Sequence, residues 1–170
     1  MSRGIQLGQV ATDKAAKTND TLLKSVAKIL QIELQIPGLT FQRKLTQTQI
    51  LSGVGSCEPD GGIWFYNGIP ICFFESKKQN GLGNAIERWY KNHWTMFRLN
   101  PKILSGTFCV GEGTIKGKPI WKTLHEACEG NFDTVREGNS VFLSVGDFDP
   151  NFVKEKIREI ILKSIEITKR

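Results

Sequence analysis

Asp60, Glu75 and Lys77 are the residues of this chain whose types and spacing could do chemistry. Between them lie two β-rich runs, Ile63-Trp64-Phe65-Tyr66 and Ile69-Pro70-Ile71-Cys72-Phe73-Phe74, separated by Asn67-Gly68. An Asn-Gly pair in that setting is a strong hairpin signal, because a type I′ turn needs φ > 0 at both central residues. A two-residue turn sets Tyr66 against Ile69. The same pairing carried outward sets Asp60 opposite Glu75. Cross-strand neighbours lie about 5 Å apart at Cβ, and like charges so placed repel. A divalent cation between them would remove that cost. Lys77 is two residues beyond Glu75 and falls on the same strand face. Two acids and a lysine at the open end of a hairpin spell a metal-dependent phosphodiesterase centre. The plainer alternative is an ordinary hairpin with solvated charges at its open end. A bulge at Gly61-Gly62 would also shift the register by one. Pro70, which has no ladder N–H, would start the second strand one residue later or lie locally at an edge.

A second informative segment runs from Gly83 to Asn92. As part of a helix over about 84–97, its apolar side is Ile86, Tyr90, His93, Trp94 and Phe97. The opposite side carries Glu87, Arg88 and Lys91, with Asn84 at the N-terminal end. Asn can pair bidentately with adenine, Arg can donate to purine acceptors, and Glu can accept from an exocyclic amino group. The first turn of a helix also favours phosphate. The alternative is a solvated amphipathic helix. His93, beside Trp94 on the apolar side, fits a packed core histidine better than a catalytic one. Trp64, Phe65, Tyr66, Phe73 and Phe74 fit the core of a central sheet better than a base-stacking platform.

The elements that must position these residues form one domain over residues 1–170. Residues 1–17 are polar and small, as in a partly mobile arm. Asn19 or Asp20 can cap a helix to about Glu33, with Leu22, Leu23, Val26, Ile29 and Leu30 on its apolar stripe. Pro37-Gly38 ends that region, and a short extended piece begins at Leu39. Gly53 to Ser56 is a turn leading into the hairpin. Strands are expected at 107–111 and 140–145. A last helix, about 150–168, follows Asp149-Pro150, with Pro suited to the first turn. Its stripe is Val153, Ile157, Ile160, Ile161 and Ile165. Helices around a strand-rich middle imply an α/β domain, a central mixed sheet flanked by helices on both faces.

Composition narrows the function classes. Hydrophobic residues make up 39% and charged residues 24%, as in a globular chain. No apolar run approaches the roughly 18 residues of a membrane span, and the N-terminus does not read as a signal peptide. The four cysteines lack a Cys-x-x-Cys spacing and only two histidines are present, so a zinc centre has no support. Reduced thiols in a cytoplasmic protein are expected. The net charge of +6 favours an anionic partner, usually nucleic acid.

Three motifs in order carry a resemblance. Glu58-Pro59-Asp60-Gly61-Gly62-Ile63, Glu75-Ser76-Lys77-Lys78-Gln79 and Gly83-Asn84-Ala85-Ile86-Glu87-Arg88 are similar to those of EcoRI/MunI-like type II restriction endonucleases, members of the PD-(D/E)xK nuclease superfamily. Pro37 to Phe41 and Gly146-Asp147 with the following helix extend the likeness over about residues 20–165. The resemblance implies a restriction-endonuclease-like core. It makes Asp60 and Glu75 metal-binding carboxylates, the carbonyl of Ser76 a further metal ligand, and Lys77 the catalytic lysine. It assigns Asn84, Glu87 and Arg88 to adenines of an AATT-centred site, with Ala85 inside the recognition segment. Gln79 lies near thymine, and Lys91 supports contacts to the DNA backbone. Lys78 joins Lys91 in setting affinity through phosphates. One departure concerns the long excursion that the family carries after Glu-x-Lys. Here only Asn80-Gly81-Leu82 separates Gln79 from Gly83. Inner AATT reading therefore transfers better than reading of any outer base.

The implied activity is Mg²⁺-dependent double-strand cleavage of DNA at a short palindrome by a homodimer. A cognate DNA methyltransferase would protect the host genome. Two other expectations keep parts of the pattern. One is a nuclease of DNA repair, recombination or viral DNA degradation. The other is a non-catalytic DNA-binding module, which would have no need of the Asp60, Glu75 and Lys77 set.

Overall fold

The computed structural model describes residues 21–45, 57–78, 95–110, 114–115, 118–119, 140–144 and 150–170. The expected arm 1–17, the cap at Asn19 or Asp20, the turn at 53–56, His93 and the segment Gln79–Asn92 lie outside them.

Asn67 (φ 50°) and Gly68 (φ 79°) are both left-handed, as a type I′ turn requires. They join β2 (Ile63–Tyr66) to β3 (Ile69–Lys78). β1 (Leu39–Gln42) pairs antiparallel with the outer side of β2. On its other side β3 pairs in parallel with β4 (Leu104–Val110), and β4 in parallel with β7 (Ser140–Ser144). The five strands form one mixed sheet in the order β1-β2-β3-β4-β7. A two-stranded ribbon, β5 (Thr114–Ile115) with β6 (Lys118–Pro119), stands apart from it. Residues 21–33 and 95–99 are helical, and the C-terminal helix runs Pro150–Lys169. This is the expected α/β class. β4 starts three residues earlier than the apolar run suggests.

The pleat sorts the side chains of the hairpin onto two faces. Trp64, Cys72 and Phe74 join Leu23, Val26 and Leu30 of the first helix and the stripe of the last helix in one buried cluster. Ile63, Phe65 and Phe73 join Met96 and Ile103 in a second, on the opposite face. Helical residues thus cover both faces. All five stripe residues of the last helix are buried, each worth about 1.5–3 kcal/mol. Ile29 corrects the expected stripe of the first helix. It is 44% exposed, because Leu23, Val26, Ala27 and Leu30 already fill the narrow arc that meets the sheet. Glu33 and Lys154 pair at 3.0 Å between the two helices.

Pairing in the hairpin follows the expected register for two rungs, Tyr66 with Ile69 and Phe65 with Pro70. It then shifts, so that Trp64 meets Cys72 and Ile63 meets Phe73. Ile71 and Cys72 together oppose Trp64, which is a β-bulge. Both side chains accordingly lie in the same buried cluster. Pro70 precedes the bulge. Its ring holds φ near −65°, far from the roughly −140° of an antiparallel strand. Pairing with β4 begins only at Cys72, so Pro70 has β2 on one side alone. Asn100 instead donates its side-chain amide to the Pro70 carbonyl at 2.7 Å.

Cys72 gives this core a pH signature. Burial pushes its thiol far above the ordinary 9.0, against a smaller lowering by a hydrogen bond with Ser164. The unfolded chain ionises the thiol above about pH 9, whereas the folded chain keeps the proton. The stabilising contribution is complete below the unfolded value and is lost as pH rises beyond it, by up to about 1.4 kcal/mol per pH unit. Urea denaturation across this alkaline range is expected to show a steeper loss of stability for the wild type than for Cys72→Ala.

Candidate active site

Pro59 to Gly62 form a turn closed by the Gly62 N–H donating to the Pro59 carbonyl at 3.0 Å. Gly62 is left-handed (φ 71°), and a Cβ there would strike the Phe41 ring. At Gly61 the constraint is proximity, since a Cβ would lie 2.7 Å from that of Phe74. The two glycines let this turn press against β3. The Gly61 N–H donates to the Phe74 carbonyl at 2.9 Å, and the Phe74 N–H to the Gly62 carbonyl at 3.4 Å.

Beyond Phe74 the next two bonds run through carboxylates. The Ser76 N–H donates to Asp60 Oδ2 at 3.0 Å, and the Asp60 N–H donates to Glu75 Oε2 at 3.4 Å. Asp60 and Glu75, fifteen residues apart in sequence, are thereby joined at the open end of the hairpin. The bulge at Ile71 advances β3 by one residue, and the expected irregularity at Gly61-Gly62, both set against Phe74 by their main-chain bonds, offsets it, so Gly61 meets Phe74 as regular pairing would have it. Ser76, expected to act through its carbonyl, is engaged here through its N–H. The sequence carries no signal for that role, because a main-chain N–H has no residue type.

Glu75 is only 4% exposed, and Asp60 is half-buried. A buried carboxylate is costly unless hydrogen-bonded and paired with opposite charge. Here it lies beside a second carboxylate. A bound cation would favour both carboxylates, and oxygen donors of this kind suit a hard divalent ion such as Mg²⁺. No cluster of three or more His, Cys, Asp or Glu side chains occurs among the described residues. Mg²⁺ is commonly held by one or two carboxylates together with waters and substrate oxygens. Glu58, next to this turn, pairs with Arg43 at 2.7 Å, both at the surface.

Lys77 and Lys78 lie in β3 immediately after Ser76, level with Cys109 and Val110 of β4. The other expected contact residues, Gln79, Asn84, Ala85, Glu87, Arg88 and Lys91, fall outside the described residues. Among the described residues no helix is long and apolar enough to cross a membrane. No protein-family model, curated protein or solved structure matches the chain.

Gly61 tests this geometry directly. Gly61→Ala forces the turn away from Phe74 and is expected to cost about 1–3 kcal/mol. Urea denaturation would measure it against Gly68→Ala, where nothing lies within 4 Å and only the left-handed backbone resists. The second change should cost less.

Proposed function

We propose that this protein is a Mg²⁺-dependent DNA endonuclease of the EcoRI/MunI-like restriction type, with a PD-(D/E)xK core, cutting duplex DNA at a palindrome centred on AATT. The observation that carries the reading is the joining of Asp60 to Glu75 by main-chain hydrogen bonds, with Lys77 two residues further along β3. The basic net charge and the ordered motifs up to Arg88 support the same reading.

Asp60 and Glu75, with the Ser76 carbonyl, would hold the ion. When bound, Mg²⁺ lowers the pKa of a coordinated water and neutralises charge on the phosphate under attack. Lys77 orients the attacking water and stabilises developing negative charge. Hydrolysis needs no covalent enzyme intermediate. Asn84, Glu87, Arg88 and Gln79 read base edges, around Ala85, while Lys78 and Lys91 bind phosphates. Reading a palindrome with one compact domain calls for a twofold homodimer, one site per strand. Such an activity works in the cytoplasm beside a cognate methyltransferase.

Incubation with phage DNA of known sequence, in Mg²⁺ or in EDTA, tests the proposal. Discrete Mg²⁺-dependent fragments whose sequenced ends share one AATT-containing palindrome are expected. Asp60→Asn should slow cleavage by roughly a hundredfold or more while DNA binding persists. Fragments without a common palindrome would instead support a relaxed repair-type nuclease. Intact DNA in both tubes, with binding retained, would support a binding module.

A further inference from the structure

We infer that Asp60 is a positioning residue as well as a cation ligand. Its Oδ2 holds the Ser76 N–H and so fixes the peptide that carries Glu75, while Oδ1 is the atom that meets the ion. The ligand half of this inference rests on the proposed cation site. The positioning half rests on the hydrogen bonds alone.

The sheet shows why a clamp is needed at this point. β2 begins at Ile63, which pairs with Phe73, so among the described residues no strand pairs with that side of β3 from Phe74 onward. On the other side β4 holds Ser76 level with Phe108. The turn at Pro59 to Gly62 fills the gap left by β2, and its last main-chain bonds to β3 are made at Phe74. The two carboxylate bonds tie this turn to Glu75 and Ser76. These bonds are reciprocal. Asp60 gives its N–H to the Glu75 side chain and receives the N–H of the following residue on its own side chain. The Ser76 bond is charge-assisted, and such bonds are about twice as strong as neutral ones, whereas the Asp60 N–H to Glu75 bond, at 3.4 Å, is long. The shorter, at 3.0 Å, is the one made by the Asp60 carboxylate. No other hydrogen bond to that carboxylate occurs among the described residues, which leaves Oδ1 for the ion.

This division predicts that acceptor and charge can be separated. A carboxamide at position 60 can still accept the Ser76 N–H through its oxygen but cannot replace the charge. A methyl group can do neither. The test is amide hydrogen exchange of the full chain by NMR in EDTA, together with calorimetric titration of Mn²⁺ alone, without DNA. In EDTA the Ser76 amide of Asp60→Ala should exchange at least roughly tenfold faster than in the wild type, and that of Asp60→Asn at about the wild-type rate. Asp60→Asn should nevertheless bind Mn²⁺ at least about tenfold more weakly. An Asp60→Ala chain that fails to fold, while Asp60→Asn folds, supports the clamp equally. Unchanged exchange in Asp60→Ala overturns the clamp, as does exchange in Asp60→Asn as fast as in Asp60→Ala. Undiminished Mn²⁺ affinity in Asp60→Asn, with its clamp intact, overturns the shared role. A wild type that binds no Mn²⁺ defeats the cation reading and the ligand half with it. The exchange rates then still decide the positioning half.

Discussion

Ile71 and Cys72 share one cross-strand partner, Trp64, and the position of every residue at the open end of the hairpin depends on that sharing. A side-chain period of two makes a one-residue slip consequential, because it exchanges which groups come level across the strands. Past a second irregularity, at Gly61-Gly62, a main-chain donor from each side meets a carboxylate from the other. The bulge is itself held firmly. Ile71 and Cys72 both pack under the helices, at 1% and 0% exposure, and Asn100 fixes the Pro70 carbonyl just before them. A shift back to regular pairing would turn one of those side chains out of its cluster.

Energetics separate a working site from a decorative one. Glu75 is buried next to a second carboxylate, and burying a charge costs several kcal/mol unless hydrogen bonds and opposite charge compensate. The buried acid, with Asp60 beside it, fits the proposed cation site. By contrast Arg43 and Glu58 are exposed, and their ion pair contributes little.

The meeting of Asp60 and Glu75 at the open end of the hairpin was legible in the sequence, and the bulge at Ile71 was not. Asn67-Gly68 announced the turn because few dipeptides tolerate two left-handed conformations in succession. The last helix was legible because one stripe of Val and Ile repeats at helical spacing from Val153 to Ile165. The bulge was not, since it reflects the packing of two adjacent apolar residues under helices remote in sequence, at both ends of the chain. Ile29 misled for a related reason. Periodicity gives the direction of a helical face, but the width of the buried arc is set by the partner surface. The start of β4 was hidden too. Leu104-Ser105-Gly106 looks like a turn, yet Gly106 lies in the strand because a Cβ there would lie 2.7 Å from the Phe74 ring.

β3 is where the sheet changes character. On one side it is the second arm of an antiparallel hairpin, and on the other it opens a parallel set with β4 and β7. The two halves do not end at the same level. β2 covers β3 as far as Phe73, whereas β4 follows it to Lys78. The C-terminal half of β3 is therefore paired with a strand along one edge and met by the turn at Pro59 to Gly62 along the other. Open α/β sheets commonly place ligand sites where neighbouring strands diverge in this way, because a cleft there has one rigid wall and free polar groups. In this chain the opened edge is not left to water alone. A turn built around two glycines enters it and brings Asp60, whose N–H and carboxylate stand in for the missing strand. The architecture that makes room for a site thus also requires an acid at its mouth, and one residue meets both demands.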